Sequence, residues 1–362
     1  MIYVIENFQK IGLIETFRSI IWNNQFYSVG DMQLVIPATK EYIELCEYGR
    51  MLCREQDISV ENGKLVFRNV MIIQEIIYRE NDDEGAVIQL IGRSLKSYIL
   101  HKRIVQGVTQ MTGKADELLK QVINDNCMTG GGQIDRFIPG LRFGIFPSIE
   151  GNVDIQIEGE ALDDLCEKVG KDVGFGWDCY IDGDKYILMF NTGTKRTHSS
   201  TNSPVIFSRK LDNLLTMEFD MNFLEYHNSI LVQGEPKQGV FNGRVWEYNR
   251  RTAYSGLERE EMYLNSDASW TTDDGELTVD QYKNTLKGLG KRDLNMINPY
   301  SFTADILPEG IFTMNKDYFL GDIVEIQTEI GINAEARITE IIEAIDTQGS
   351  SVVLTFEEWE VI

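Results

Sequence analysis

Gly107 to Ala115, GVTQMTGKA, comes nearest in this sequence to a catalytic loop. A phosphate-binding loop of the form G-x4-G-K-[ST] needs four residues between its glycines and a hydroxyl after the lysine to hold magnesium. Here five residues separate Gly107 from Gly113, and Ala115 stands where the hydroxyl belongs, so the stretch reads as the start of a helix. Asp182 and Asp184 flank Gly183 and could share a cation, but a calcium loop requires further oxygen ligands at fixed spacing, and Lys185-Tyr186-Ile187 supplies none. His101, His198 and His227 have no His or Cys partner at zinc spacing, and no Gly-x-Ser-x-Gly elbow is present. Adjacent acids such as Asp163-Asp164 and Asp273-Asp274 could be nominated for glycoside hydrolysis, yet 57 acidic residues make adjacency common. The separation of glycosidase carboxylates is a spatial quantity that sequence hides. Trp22, Phe26, Tyr27 and Trp177 could stack sugars, but strand aromatics more often pack a core. No residue is therefore assigned a catalytic, cofactor-binding or metal-binding role.

The elements that would position any site are mostly strands, and the most informative stretch runs from Asp317 to Phe356. Val324 and Ile326 alternate with Glu325 and Gln327, and Glu329 to Ile332 supply a Gly-containing turn. Ala334, Ala336 and Ile338 then alternate with Glu335, Arg337 and Thr339, the pattern of a half-buried hairpin. At Glu340 the alternation slips, leaving Ile341 and Ile342 side by side, which a β-bulge explains. The same pattern stands near the start. Ile73-Gln74-Glu75-Ile76-Ile77 leads through Asn81 to Gly85 into Val87, Ile88 and Leu90, as Ile338-Thr339-Glu340-Ile341-Ile342 leads through Gly349 into Val352, Val353 and Leu354. Two copies of one β unit, interrupted by different sequence, are expected.

Taken in order, residues 1–105 read as short strands forming a first barrel-like β-domain. At Thr112 the period changes. Thr112 is expected to cap a helix with Ala115, Leu118, Leu119, Val122 and Ile123 on its apolar face and a Gly130-Gly131-Gly132 stop. A second helix over Gly159 to Val173 and a hairpin around Asp182-Gly183-Asp184 complete an α/β domain over 106–201. Strands over PVIFS, LLTMEFDMN and NSILVQG join the closing hairpin in a second β-domain, 202–235 and 299–362. Residues 236–298 are inserted into it and hold a helix begun by Thr278, with Gln281 in capping-box spacing. The fold class is α+β multidomain: two related barrel-like antiparallel β-domains, an α/β domain between them and a polar insertion in the second.

The net charge of −23 argues against a protein that grips nucleic acid, since that work needs clustered Lys and Arg. Five scattered cysteines, odd in number and without a CxxC pair, fit buried reduced thiols. No apolar run reaches the roughly 18 residues that span a bilayer. The start, MIYVIENFQKIG, lacks a basic head and a long apolar core, so no signal peptide and no Sec export are expected.

Four stretches carry a family resemblance: FRSIIWNNQFYSVGDMQLVIPAT; IPGLRFG with EGEALDDLCEKVGKDVGFGWDCYID; TGTKRTHSSTNSPVIFSRKLDNLLTMEFDMNFLEYHNSILVQGEP; and DYFLGDIVEIQTEIGI with ARITEIIEAID. With these the chain resembles the tail-hub proteins of siphophages and prophages of Gram-positive hosts, which group with the baseplate hub proteins of contractile tails. It looks like the non-lytic N-terminal part of tail-associated lysin or tail-tip proteins, and the match covers essentially the whole chain in order. The resemblance implies a homotrimer whose two β-domains per chain form a pseudo-six-fold ring. Such a hub would be a structural virion component at the tail tip or baseplate, joining the six-fold tail tube or distal tail ring to a three-fold tip and lining the distal DNA channel. Implied partners are copies of itself, the distal tail protein or tail tube protein, the tape measure protein and downstream receptor-binding or tip proteins. DNA would pass without specific binding, no cofactor is implied, and assembly would take place in the bacterial host cytoplasm.

Longer members of this family carry a C-terminal peptidoglycan hydrolase or receptor-binding extension. This chain stops at Ile362, so lytic activity is not carried over and an enzyme is not expected. The rival reading is a cell-wall glycan or peptidoglycan hydrolase, or a carbohydrate-binding tail module, using the tyrosine-rich insertion. For a hub, Trp22, Phe26, Tyr27, Tyr318 and Phe319 are candidate interface anchors, with burial inside a β-domain as the alternative. Gln74, Glu75, Thr339 and Glu340 are candidates for exposed hairpin faces, because alternate side chains along a strand point away from its core. The two β-domains are expected to alternate around an acidic channel at about sixty degrees, the angle six-fold matching requires.

Overall fold

Apolar residues alternating with polar ones dictate strands over most of this chain, and strands are what form. The computed structural model describes residues 1–81, 85–107, 109–128, 134–146, 148–307, 310–329 and 333–361. Its first part holds β1 (Ile2–Glu6), β2 (Gln9–Ile14), β3 (Ser19–Gln25), β4 (Asp31–Pro37), α1 (Lys40–Leu45), β5 (Met51–Arg54), β6 (Ile58–Glu61), β7 (Lys64–Phe67), β8 (Met71–Asn81) and β9 (Gly85–Ser94). The middle holds β10 (Thr109–Lys114), α2 (Ala115–Ile123), β11 (Leu141–Phe143), β12 (Asn152–Ile157), α3 (Leu162–Val173), β13 (Gly176–Asp182) and β14 (Lys185–Asn191). There follow β15 (Lys195–Arg196), β16 (Ile206–Ser208), β17 (Leu214–Met221), β18 (Ser229–Gln233), β19 (Arg244–Tyr248), β20 (Glu261–Asn265), β21 (Thr271–Thr272), β22 (Gly275–Glu276) and α4 (Val279–Asn295). The chain ends in β23 (Tyr300–Ile306), β24 (Ile323–Gln327), β25 (Asn333–Asp346) and β26 (Gly349–Val361). The chain is thus mainly β, with several sheets and a few helices.

β25–β26 has an additional register shift between Glu335 and Arg337, and the long hairpins β8–β9 and β25–β26 share a bulge at a matching place, between Ile73 and Glu75 in the first and between Ile338 and Glu340 in the second. These shared bulges are the positions at which the sequence alternation slips. The likeness extends outward from the hairpins. In the first part the strands run β3–β4–β9–β8–β5 across the sheet, and in the last part β17–β23–β26–β25–β24, every neighbouring pair antiparallel. Each set of five also appears in the same chain order. Following the pairings, Leu34, Leu52, Met71, Ile73, Ile88 and Leu90 correspond to Ala304, Val324, Ala336, Ile338, Val352 and Leu354. The first six share one buried core and the second six another. A one-residue slip in either unit would turn its apolar set outward, so matched registers with matched cores mark one pattern used twice.

Three sequence expectations are corrected. Thr112 does not cap a helix: it lies in β10, where its hydroxyl donates to the Asp154 carboxylate at 3.0 Å, and α2 begins after Lys114. The strand over NSILVQG does not join the second β unit. β18 pairs instead with β19 and β20, under α4, because its apolar residues Ile230 and Val232 close on Gly290 of that helix. Likewise β6–β7 leaves the first β unit and pairs with β13 of the middle region. Alternation marks a strand but does not name its neighbour. The helix expected from Gly159 starts at Leu162 and ends at left-handed Gly174. The hairpin through Asp182-Gly183-Asp184 and the Thr278–Gln281 capping box form as read. The glycine stop at 130–132 and the turn at 330–332 lie outside the described residues.

The segment between β17 and β23 packs on the middle region. Ile230, Val232, Trp270 and Tyr282 share one core with Met111, Val153 and Ile155. The Gln156 amide exchanges hydrogen bonds with the Ser269 backbone at 3.1 and 2.6 Å. Gly288 of α4 lies so close to β12 that a Cβ there would stand 1.8 Å from the Asp154 carbonyl oxygen.

Candidate assembly site

The two β units meet edge to edge where β25 pairs antiparallel with β3, Glu340 opposite Gln25 through Ile345 opposite Ile20. Polar side chains brace this joint. The Glu340 carboxylate accepts from the Asn23 and Gln25 amides, each at 2.9 Å, and from the Thr355 hydroxyl at 2.7 Å. Arg54 of the first unit donates to Glu343 of the second at 2.6 Å and to Asp57 at 2.6 Å. Burial alone would lower the Arg54 guanidinium, but the paired carboxylates hold it above its ordinary value.

Where β3 ends, Phe26 and Tyr27 tie three parts of the chain together. The Phe26 amide donates to the Thr339 carbonyl, at the second bulge, at 2.8 Å. Its ring fills a hole floored by two glycines. An added Cβ on Gly321 would stand 2.1 Å from that ring, and one on Gly176 would stand 2.5 Å from it. The Arg337 guanidinium covers it at 5.3 Å. The Trp177 indole donates to the Tyr27 carbonyl at 2.6 Å.

Of the five aromatics expected as interface anchors, Trp22, Phe26, Tyr27 and Tyr318 are buried within the chain, and Phe319 is 40% exposed. The first four are corrected accordingly. They anchor units of one chain to each other, or fill its cores, and aromatic type cannot tell an internal joint from an external one. Of the hairpin-face candidates, Glu75 is exposed, while Gln74 and Glu340 are half-buried. Thr339 is buried and corrected: it is the extra residue of its bulge, held as the hydroxyl donates to the Thr355 carbonyl at 3.3 Å. Sequence reasoning missed Arg54, Glu343 and the Gly176–Gly321 floor, since pairing across some 289 residues leaves no local signal.

A cleft of about 520 Å³ lies beside the joint, lined by Phe26, Lys96, Trp177, Asp178 and Phe319 among others. Its charged groups are committed. Desolvation lowers the Lys96 ammonium to about 8, yet it donates to the carbonyls of Gln25, Phe26 and Ser28 at 2.6, 3.4 and 3.1 Å. Asp178, raised by burial, accepts from the Cys179 amide at 2.7 Å. His101 meets one carboxylate oxygen of Asp163 at 2.9 Å and His198 meets Glu325 at 2.8 Å, each a histidine–carboxylate pair with no third ligating group beside it among the described residues. All five cysteines are free and buried, and desolvation pushes Cys46 and Cys127 up to about 11, away from thiolate chemistry. Among the described residues no group of three metal-ligating side chains gathers, and no helix is long and apolar enough to cross a membrane.

The chain, two matched strand units around a middle α/β region, shares its overall fold with solved phage and prophage tail proteins. The chain is similar to the 43 kDa tail protein of prophage MuSo2 from Shewanella oneidensis, with 12% identity over 98% of each chain and a TM-score of 0.59. It is similar to the tail protein from Neisseria meningitidis MC58, with 12% identity over 99% of this chain and 96% of that one and a TM-score of 0.55. The prophage tail protein gp18 from Listeria monocytogenes EGD-e is also similar, with 12% identity over 98% of this chain and 94% of that one and a TM-score of 0.53. The chain belongs to the Siphovirus ReqiPepy6 Gp37-like protein family, whose pattern matches residues 3–356. No curated protein sequence matches it.

Proposed function

We propose that the protein is the trimeric hub of a phage or phage-like tail tip or baseplate. It joins a six-fold tail tube or distal tail ring to a three-fold tip and lines the distal DNA channel. One observation carries this reading: the chain holds the same five-strand unit twice, joined edge to edge. Three copies of such a chain present six equivalent units, which is what a six-fold partner needs. Membership of a siphovirus protein family supports a tail component. In this reading the two units belong to related barrel-like β-domains, within 1–105 and within 202–228 and 299–362, and β18 moves to the insertion. Partners are further copies of the chain, the distal tail or tail tube protein, the tape measure protein and downstream receptor-binding or tip proteins. The net charge of −23 favours DNA that passes without being held. The protein works in the virion, after assembly in the host cytoplasm, and is not an enzyme. Averaged electron micrographs of tails carrying the tagged chain test this directly: three copies per ring are expected, and six copies overturn it.

A further inference from the structure

The internal joint uses one edge of each unit, and each unit has a second edge with the same credentials. Within the chain, β25 of the second unit pairs with β3 of the first. Their counterparts are β8 in the first unit and β17 in the second. β17 ends its sheet, and Glu75 to Asn81 of β8 pair only with β9 among the described residues. We propose that β17 of one copy pairs with β8 of the next, in the register the internal joint already displays. Transferring that register puts Asn222 opposite Glu75, Met221 opposite Ile76, Asp220 opposite Ile77, Phe219 opposite Tyr78, Glu218 opposite Arg79 and Met217 opposite Glu80.

Two observations fit this occupant and no arbitrary one. The first is charge: the transferred register sets Arg79 against Glu218, with Asp220 on the diagonal, and opposite-charge cross-strand pairs favour association. The second is a knob with a vacant hole. Phe26 follows β3 and fills the space over Gly321. Its counterpart after β17 is Phe223, also phenylalanine, and 46% exposed. The counterpart of Gly321 is Gly49, with φ of +84 against +93. Gly49 donates to the Ile73 carbonyl at 2.8 Å as Gly321 donates to that of Ile338 at 2.8 Å. Over Gly321 a Cβ would collide with Phe26, whereas no described heavy atom lies within 4 Å of the same point on Gly49. The second bulge, where Thr339 receives the Phe26 amide, is matched by the first, where Gln74 is the extra residue. The knob at Phe223 of one copy therefore seats on Gly49 beside Gln74 of the next. Met221 at 60% exposed and Tyr78 at 56% are covered in the same contact.

Such a contact joins two different surfaces and propagates from copy to copy until it closes. Closure at three copies rests on the function proposed above; the pairing itself does not. The test is run on the full chain. With Arg79→Cys and Glu218→Cys together, mild oxidation is expected to give linked pairs and closed rings of three, while either single variant gives neither. The native cysteines, all buried, do not compete. Phe223→Ala should keep the native unfolding transition and raise the trimer dissociation constant about thirtyfold, as loss of a central aromatic anchor does. Should Phe223→Ala fail to fold, Arg79→Glu decides instead. It should weaken association about fivefold per interface and be rescued by Glu218→Arg. Trimers that neither cross-link at 79 and 218 nor respond to these changes overturn the strand pairing and leave the three-copy hub standing. A wild-type chain that stays monomeric when concentrated, and stands at six copies per ring in tails, overturns both.

Discussion

Phe26 shows how much one side chain can couple. It touches glycines of the middle region and of the second β unit while standing at the end of the first. Truncation to alanine should cost about 3–5 kcal/mol, the usual range for a buried phenylalanine, read as a lower urea midpoint. An unchanged midpoint would mean that the joint contributes nothing to folding. Lys96 makes a prediction with a sign. Its folded-state value is lowered to about 8 from an ordinary 10.5, so between those values the unfolded chain binds the extra proton. Stability contributed at this site is therefore lowest while the ammonium is charged in both states, and rises as pH climbs from about 8 to 10.5. The stability difference between wild type and Lys96→Met should move in favour of wild type over that window, and a flat difference would show that the ammonium is not desolvated. At this scale the sequence marked the aromatics at 22, 26, 27 and 318 as large packing residues, and all four are buried within the chain. What they pack against was not legible, because a strand partner some 315 residues away imposes no local pattern.

At the scale of elements, the bulges were legible for a definite reason. An extra residue shifts the period-two pattern, and Ile341-Ile342 and Ile76-Ile77 record that shift as side-by-side apolar residues. The placement of β18 was not legible, since Ile230 and Val232 would suit any sheet and it is α4 that claims them. The close approach of α4 to β12 gives an element-level test. Gly288→Ala meets backbone, which cannot swing aside, so α4 must lift from β12. The expected loss is about 1–3 kcal/mol or more, the cost of overpacking. Faster amide exchange in 279–295 and 152–157 should accompany it. Exchange that is unchanged there would show that the insertion packs on the middle region more loosely than described.

For the whole molecule, the proposed hub should release neither reducing ends nor free amines from purified cell walls. Release that a single acidic substitution abolishes would favour the hydrolase reading instead. The joint of β3 with β25 also has a consequence in time. Gln25 leaves the ribosome about 315 residues before Glu340 exists, and at 5–20 residues per second that is a wait of about 15 to 60 s. Throughout it the β3 edge stands open on a unit whose own core is already complete, as an invitation to neighbouring nascent chains on the same message. Asn23, Asn24 and Gln25 crowd the end of that edge with amides, and only late synthesis of the final hairpin seals it. Chains released before residue 333 should therefore associate through the open β3 edge in a pulse-labelled lysate, full-length chains should not associate through that edge, and the slowest phase of refolding should be the docking of 333–361 onto β3.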